Sequence, residues 1–155
     1  MITVVLYGLL AAAAMYDVLV RRIPNLLVVA VAGLYVVDVV VARGASWHPG
    51  DLVVAGGVLG LGFAAFAAGA LGGGDAKLLA ALSLWMGWPA VVPFTLITAV
   101  LGGAIALGIV VWRALGAVGV TAAQRHPVTT VPYGVAVAGA AVLVLERPDV
   151  VSVMG

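Results

Sequence analysis

Six apolar runs, at about 2–20, 26–42, 52–71, 76–88, 90–112 and 131–145, take up nearly the whole chain, and the short segments between them hold most of its proline and charge. A hydrocarbon core about 30 Å thick is crossed by roughly 20 apolar residues in a helix. Only a narrow set of folds accepts such a pattern. With 65% hydrophobic residues, 8% charged and a mean hydropathy of +1.29, 155 residues cannot bury this much apolar surface in a water-soluble core. The expected fold class is therefore all-α, a polytopic membrane helical bundle of about six transmembrane helices in one integral-membrane domain over 1–155. Residues 76–112 are too long for one span, and Trp88-Pro89 is the expected break, because proline disfavours helix in its predecessor and clashes with the preceding turn.

Composition narrows the function classes. Seven basic and six acidic residues give a net charge of +1, with no basic stripe for nucleic acid. The absence of cysteine removes disulfides, thiol nucleophiles and cysteine-ligated metals. The two histidines, His48 and His126, fall in loops expected on opposite sides of the membrane and cannot share a metal. No Lys or Arg precedes the first apolar run, so it is read as a retained helix and not as a secretory signal.

Arg21, Arg22, Lys77, Arg113 and Arg125 fall on one side of the expected bundle, against Arg43 and Arg147 on the other. The excess of positive charge assigns the first side to the cytoplasm, and Asp17 and Asp75 lie there. Taking Trp85 and Trp88 as the outer aromatic belt, Asp75 stands roughly 20 Å below it, and Asp17 lies on the order of 22 Å from Ile2. Both acids are expected somewhat inside the cytoplasmic boundary, at similar depth.

An ionisable group near the hydrocarbon costs roughly 2.5–3.5 kcal/mol on insertion scales, which makes each acid a functional-site hypothesis. Asp75 follows Gly72-Gly73-Gly74, where the absence of side chains allows positive φ and a departure from helical geometry. Non-helical backbone at membrane depth is tolerated where it is buried in protein or lines a water-filled cavity. Read singly, Asp75 is also a favoured cap for the fourth helix, and Asp17 an interfacial acid paired with Arg21 four residues on. Asp38, near the outer end of the second helix, and Asp51, Glu146 and Asp149, outside, are expected to lie away from the pair. Two carboxylates a few ångströms apart do not both ionise readily, so one keeps its proton as general acid while the other activates water. That chemistry cleaves a peptide and requires no metal or organic cofactor.

Asp17-x3-Arg21-Arg22-Ile23-Pro24-Asn25, then Gly72-x-Gly74-Asp75-x-Lys77, then Pro132-Tyr133-Gly134 at the start of the last helix, together resemble the prepilin peptidases, the type IV leader peptidases among the Gly-x-Gly-Asp intramembrane aspartyl proteases. The resemblance implies removal of the positively charged leader of pilin or pseudopilin precursors at the cytoplasmic face of a bacterial inner membrane, with Asp17 and Asp75 as the catalytic aspartates. Gly72, Gly74, Lys77, Pro132, Tyr133 and Gly134 are the expected supporting or substrate-lining residues, and a prepilin and the lipid bilayer the expected partners. Presenilin-like proteases share the Tyr16-Asp17 and Gly-x-Gly-Asp style but are longer, with more spans. Larger prepilin peptidases carry a cytoplasmic domain between the first two helices, often with four cysteines, and N-methylate the trimmed pilin. Only Arg21 to Asn25 stands there in this chain, which resembles the compact form of Flp or Tad-type pili; N-methylation is not expected of it.

Beside this, Pro24 is expected to stop the first helix and Asn25 to cap the second. Lys77, Arg21 and Arg22 are read as holding topology or tuning the acid pair, not as receptors for a cationic leader, which they would repel. Gly56, Gly60, Gly102 and Gly103 are read as close-packing positions, and Ala114 to Thr130 as a long segment able to gate access. Two rival readings use the same acids: a small proton- or cation-coupled transporter component with an acid relay, and an inactive scaffold. An internal repeat would favour the transporter, and the hydrophobic segments show none.

Overall fold

The structure, a computed structural model, describes residues 1–45, 48–116, 132–147 and 149. Among these the chain is helical, with no strand. The helices are α1 (Ile2–Val20), α2 (Asn25–Val41), α3 (Pro49–Ala67), α4 (Gly73–Gly116) and α5 (Tyr133–Glu146). Three stretches, Ile2–Val20, Pro49–Ala67 and Gly73–Trp112, are long and apolar enough to cross a membrane; Asn25–Val41 and Tyr133–Glu146 are shorter apolar helices. Among the described residues the expected six separate helices thus appear as five, the fourth bent into two limbs, 73–86 and 88–116, at Gly87.

The bend falls one residue before the expected Trp88-Pro89. Gly87 has φ 61° and ψ −172°, a backbone conformation accessible to glycine and strongly disfavoured for other residues. Pro89 then stands in the first turn of the second limb, where its missing N–H costs little. At the end of α3, Gly69 takes φ 74° while the amide of Ala70 returns to the carbonyl of Ala65 at 2.9 Å, closing the last turn with a left-handed glycine. Arg21 ends α1 in the same left-handed region (φ 57°), its N–H reaching the carbonyl of Asp17 at 3.1 Å. Pro24, with φ −61° and ψ 136°, precedes α2 in extended geometry. Asn25 is already helical, and no side chain caps the helix. The expected asparagine cap is replaced by a proline-set turn.

The core is a stripe on each helix. Leu6, Leu10, Ala13 and Asp17 form the buried line of α1. They belong to one packed cluster with Val31 of α2, Leu78 and Leu82 of α4 and Val137, Ala140 and Ala141 of α5, or, for Asp17, stand at its end. The outward faces are apolar too: Val4, Leu19, Leu26, Leu61, Phe63 and Trp112 are all exposed. An apolar surface of this extent suits lipid and not water, and the chain is a membrane protein.

Small residues set the closest helix approach. A Cβ on Gly62 of α3 would stand 3.0 Å from Cβ of Ala76 in α4. Gly102 packs against the ring of Tyr133 in the same way, whereas Gly56, Gly60 and Gly103 have nothing within 4 Å of an added Cβ and are not packing positions among the described residues.

At the end of the bundle opposite Asp17, polar side chains join the helices. The hydroxyl of Tyr7 donates to the carboxylate of Glu146, linking α1 to α5. Tyr35 of α2 donates to Oδ2 of Asp51 in α3 at 2.5 Å, its ring meeting Trp85 edge-on with Arg43 over one face. Arg43 also pairs with Asp38 at 2.8 Å. Asp51, expected on the outer side away from the acid pair, lies at this far end and is buried, because Tyr35 and the bend at Gly87 enclose it. Trp85 is partly buried at this end, with its indole N–H on the carbonyl of Val31 at 3.2 Å. Removing the donor, as in Tyr35→Phe, leaves a buried carboxylate without it. A loss of about 1–3 kcal/mol is expected, read as a lower midpoint in thermal unfolding of the detergent-solubilised protein.

Candidate active site

Asp17 closes the buried stripe of α1 and is 5% exposed. Its Oδ2 accepts a hydrogen bond from the backbone N–H of Gly134 at 2.6 Å, in the first turn of α5. The free amides of a helix start suit a carboxylate. The contact exists because residue 134 is glycine: a Cβ there would come within 2.9 Å of Asp17 Cβ, Asp17 Oδ2 and Ile23 Cδ1. Arg21 is also within electrostatic reach of Asp17, as expected of a residue one turn on.

Asp75 stands in the first turn of α4 and is 8% exposed. The backbone N–H of Gly72 donates to its carboxylate, an acidic side chain reaching back to the amide at the helix start as in a capping box. The other oxygen, Oδ1, is buried with no hydrogen-bond partner among the described residues. The helix-start reading and the cavity-facing reading of Asp75 therefore coexist. The triple glycine acts otherwise than expected. None of Gly72, Gly73 and Gly74 has positive φ, and the last two are helical. Their missing side chains make room instead. A Cβ on Gly72 would overlap Asp75 Oδ2, one on Gly73 would lie 3.4 Å from the Phe66 ring, and one on Gly74 would lie 3.2 Å from Ile23 Cβ.

A cavity of about 220 Å³ is lined by Asp17, Arg21, Arg22, Ile23, Gly72, Gly73, Gly74 and Asp75. Water takes about 30 Å³ per molecule in the liquid, so the space holds several waters or a short stretch of peptide. The two acids, 58 residues apart by number (75 − 17), share this cavity and lie within electrostatic reach of each other. The pair can hold water between an oxygen that is hydrogen-bonded to backbone and one that is not.

The remaining expected residues lie around this centre. Lys77 does not line the cavity; its Nζ donates to Oδ1 of Asn25 at 3.2 Å, fastening the start of α4 to the start of α2. Pro132 precedes α5, and Tyr133 packs on Gly102 of the second limb of α4. Of that motif, Gly134 alone is seen to reach an acid. The segment expected to gate access lies outside the described residues beyond Gly116, as does His126. Among the described residues no three of His, Cys, Asp and Glu converge as metal ligands.

Two features were not foreseen: the bond from Gly134 to Asp17, and the burial of Ile23 between two of the motifs. A single apolar residue inside Arg21-Arg22-Ile23-Pro24-Asn25 was the available signal for the second. For the first, a separation of 117 positions leaves no local trace.

The chain matches a known family. The family model of the type IV leader peptidase family covers residues 4–107, which takes in both acids and the Gly72–Asp75 turn but stops short of Pro132. No curated protein and no solved structure matches the chain.

Proposed function

The chain belongs to the type IV leader peptidase family, and from that premise we propose that it is an intramembrane aspartic endopeptidase in which Asp17 and Asp75 act as one general acid–base pair. The observation that carries the proposal is the shared cavity, in which both carboxyls are buried and within electrostatic reach of each other. In the proposed reaction, one carboxylate takes a proton from the water that attacks the scissile carbonyl carbon. The protonated partner donates to the carbonyl oxygen, and collapse breaks the C–N bond as a proton passes to the departing amine. Gly134 orients one acid, and Gly72 the other.

The proposed substrate is the leader of a Flp or Tad-like prepilin, cut at the cytoplasmic face of a bacterial inner membrane by one domain spanning 1–155. Counting the two limbs of α4 as separate spans gives six crossings. The limb 73–86 and α5 each rise about 20 Å, less than a hydrocarbon core of about 30 Å. Both start at the acid end, which supports a site set below the membrane surface and open to water. A transporter relay uses the same acids but gives no reason for a leader-peptidase sequence around them.

The test is co-expression with several Flp-type prepilins in cells lacking a leader peptidase, followed by N-terminal sequencing of the pilin. One new N-terminus, at a single bond, is expected. Precursors left uncut with all of them, while the chain accumulates in the membrane, would refute the proposal.

A further inference from the structure

We propose that Ile23 is a positioning residue whose side chain sets the separation of Asp17 and Asp75, an inference that takes its functional meaning from the peptidase reading above but its grounds from packing. Arg21, in left-handed geometry, turns the chain sharply at the end of α1. Ile23, two residues later, is 8% exposed although it lies between an exposed Arg22 and a half-buried Pro24.

Each side of Ile23 meets a glycine belonging to one of the acids. Gly74, the residue before Asp75, has no Cβ, and one placed there would stand 3.2 Å from Ile23 Cβ and 3.4 Å from its backbone N and O. Gly134, whose amide holds Asp17, would direct a Cβ to within 2.9 Å of Ile23 Cδ1. The side chain is thus a wedge between the turn that carries Asp75 and the helix start that holds Asp17. It also forms the apolar wall of their cavity. Asn25, two residues further on, receives Lys77, two residues after Asp75. The short connection between α1 and α2 therefore grips the start of α4 at two points, one by packing and one by a hydrogen bond.

Shortening the wedge removes the spacer and leaves both carboxyl groups chemically intact, so its effect comes through their separation alone. Misplacement of a reacting group by about 1 Å can cost on the order of 10²-fold in rate. Ile23→Ala is expected to lower kcat by about that factor, and Ile23→Val, which loses only the Cδ1 contact to Gly134, by roughly tenfold. KM should change little in both, because the defect lies in the transition state and not in binding.

Spacing itself can be read without activity. The chain has no cysteine, so Asp17→Cys with Asp75→Cys makes a unique pair for bis-methanethiosulfonate reagents of graded length, in membranes without substrate. With Ile23 present, a narrow range of linker lengths is expected to bridge the pair. With Ile23→Ala the range should shift or broaden, while a control pair at the far end, Tyr7→Cys with Glu146→Cys, keeps its profile. An unchanged profile at the acids, an equal change in the control pair, or an unchanged kcat in both Ile23 variants would overturn the proposal. Should the parent chain cut no prepilin, the peptidase reading fails, and the linker profile still decides whether Ile23 sets the spacing.

Discussion

Asp17→Asn and Asp75→Asn are each expected to lower the rate of leader removal by roughly 10²- to 10⁴-fold, the range over which a positioned proton-transfer group contributes. The double variant is expected to fall no further than the worse single one. Asparagine keeps the shape of aspartate and an oxygen able to accept from the Gly134 amide, which bonds Asp17 in the parent at 2.6 Å, and lacks the capacity to take up and release a proton. At Asp75, Oδ1 has no hydrogen-bond partner among the described residues, so an amide there places its NH₂ or its oxygen without a compensating bond among them. Residues that act as one unit lose their effect together, so their losses do not multiply. Losses that did multiply would mean two independent roles. The measurement is initial rate against a co-reconstituted prepilin, with each variant shown to accumulate in the membrane.

Gly134→Ala is the second large effect, a loss on the order of 10²-fold in kcat. The added methyl would meet Asp17 Cβ and Oδ2 and Ile23 Cδ1, each at 2.9 Å, closer than real Cβ contacts come. Either Asp17 moves away from the amide that holds it or α5 shifts outward; both change the geometry of the pair. Gly139→Ala on the same helix is the matched control. Its Cβ would meet only Leu101 Cδ1, at 3.7 Å, an ordinary contact, so activity near that of the parent is expected. Equal losses in the two variants would trace the effect to α5 as a whole and not to the acid.

Helix positions were legible from sequence because apolar runs interrupted by proline, glycine and charge leave few alternatives for a backbone that must satisfy its own hydrogen bonds. The runs at 2–20 and 26–42 lie almost directly on α1 and α2. Local rules do not capture features set by tertiary packing. Pro89 pointed to its own neighbourhood, but the bend needed a left-handed residue and took Gly87. The glycines before Asp75 suggest unusual backbone angles, whereas none has positive φ and their missing side chains let Asp75, Phe66 and Ile23 approach closely. At the far end, Trp85 and Asp51 each have a partner on another helix, Val31 and Tyr35, which their positions in the sequence do not reveal.

The site follows the same division. Spacing placed Asp17 and Asp75 at one end of the bundle, and the structure opens one cavity to both. Sequence could not show what holds them, because Gly134 and Asp17 come together only once α5 packs against α1. Lys77 illustrates the limit. Its charge suggested topology or tuning of the acids, and its position adds a tie to Asn25 that neither motif announces.

The central claim is that the two buried acids together perform the hydrolysis. It is tested most directly with purified protein in proteoliposomes and one Flp-type prepilin, following leader release by mass spectrometry for the parent chain, Asp17→Asn and Asp75→Asn side by side. A single cleavage product from the parent and background release from both variants are expected. Release at near-parental rate from either variant would contradict the claim.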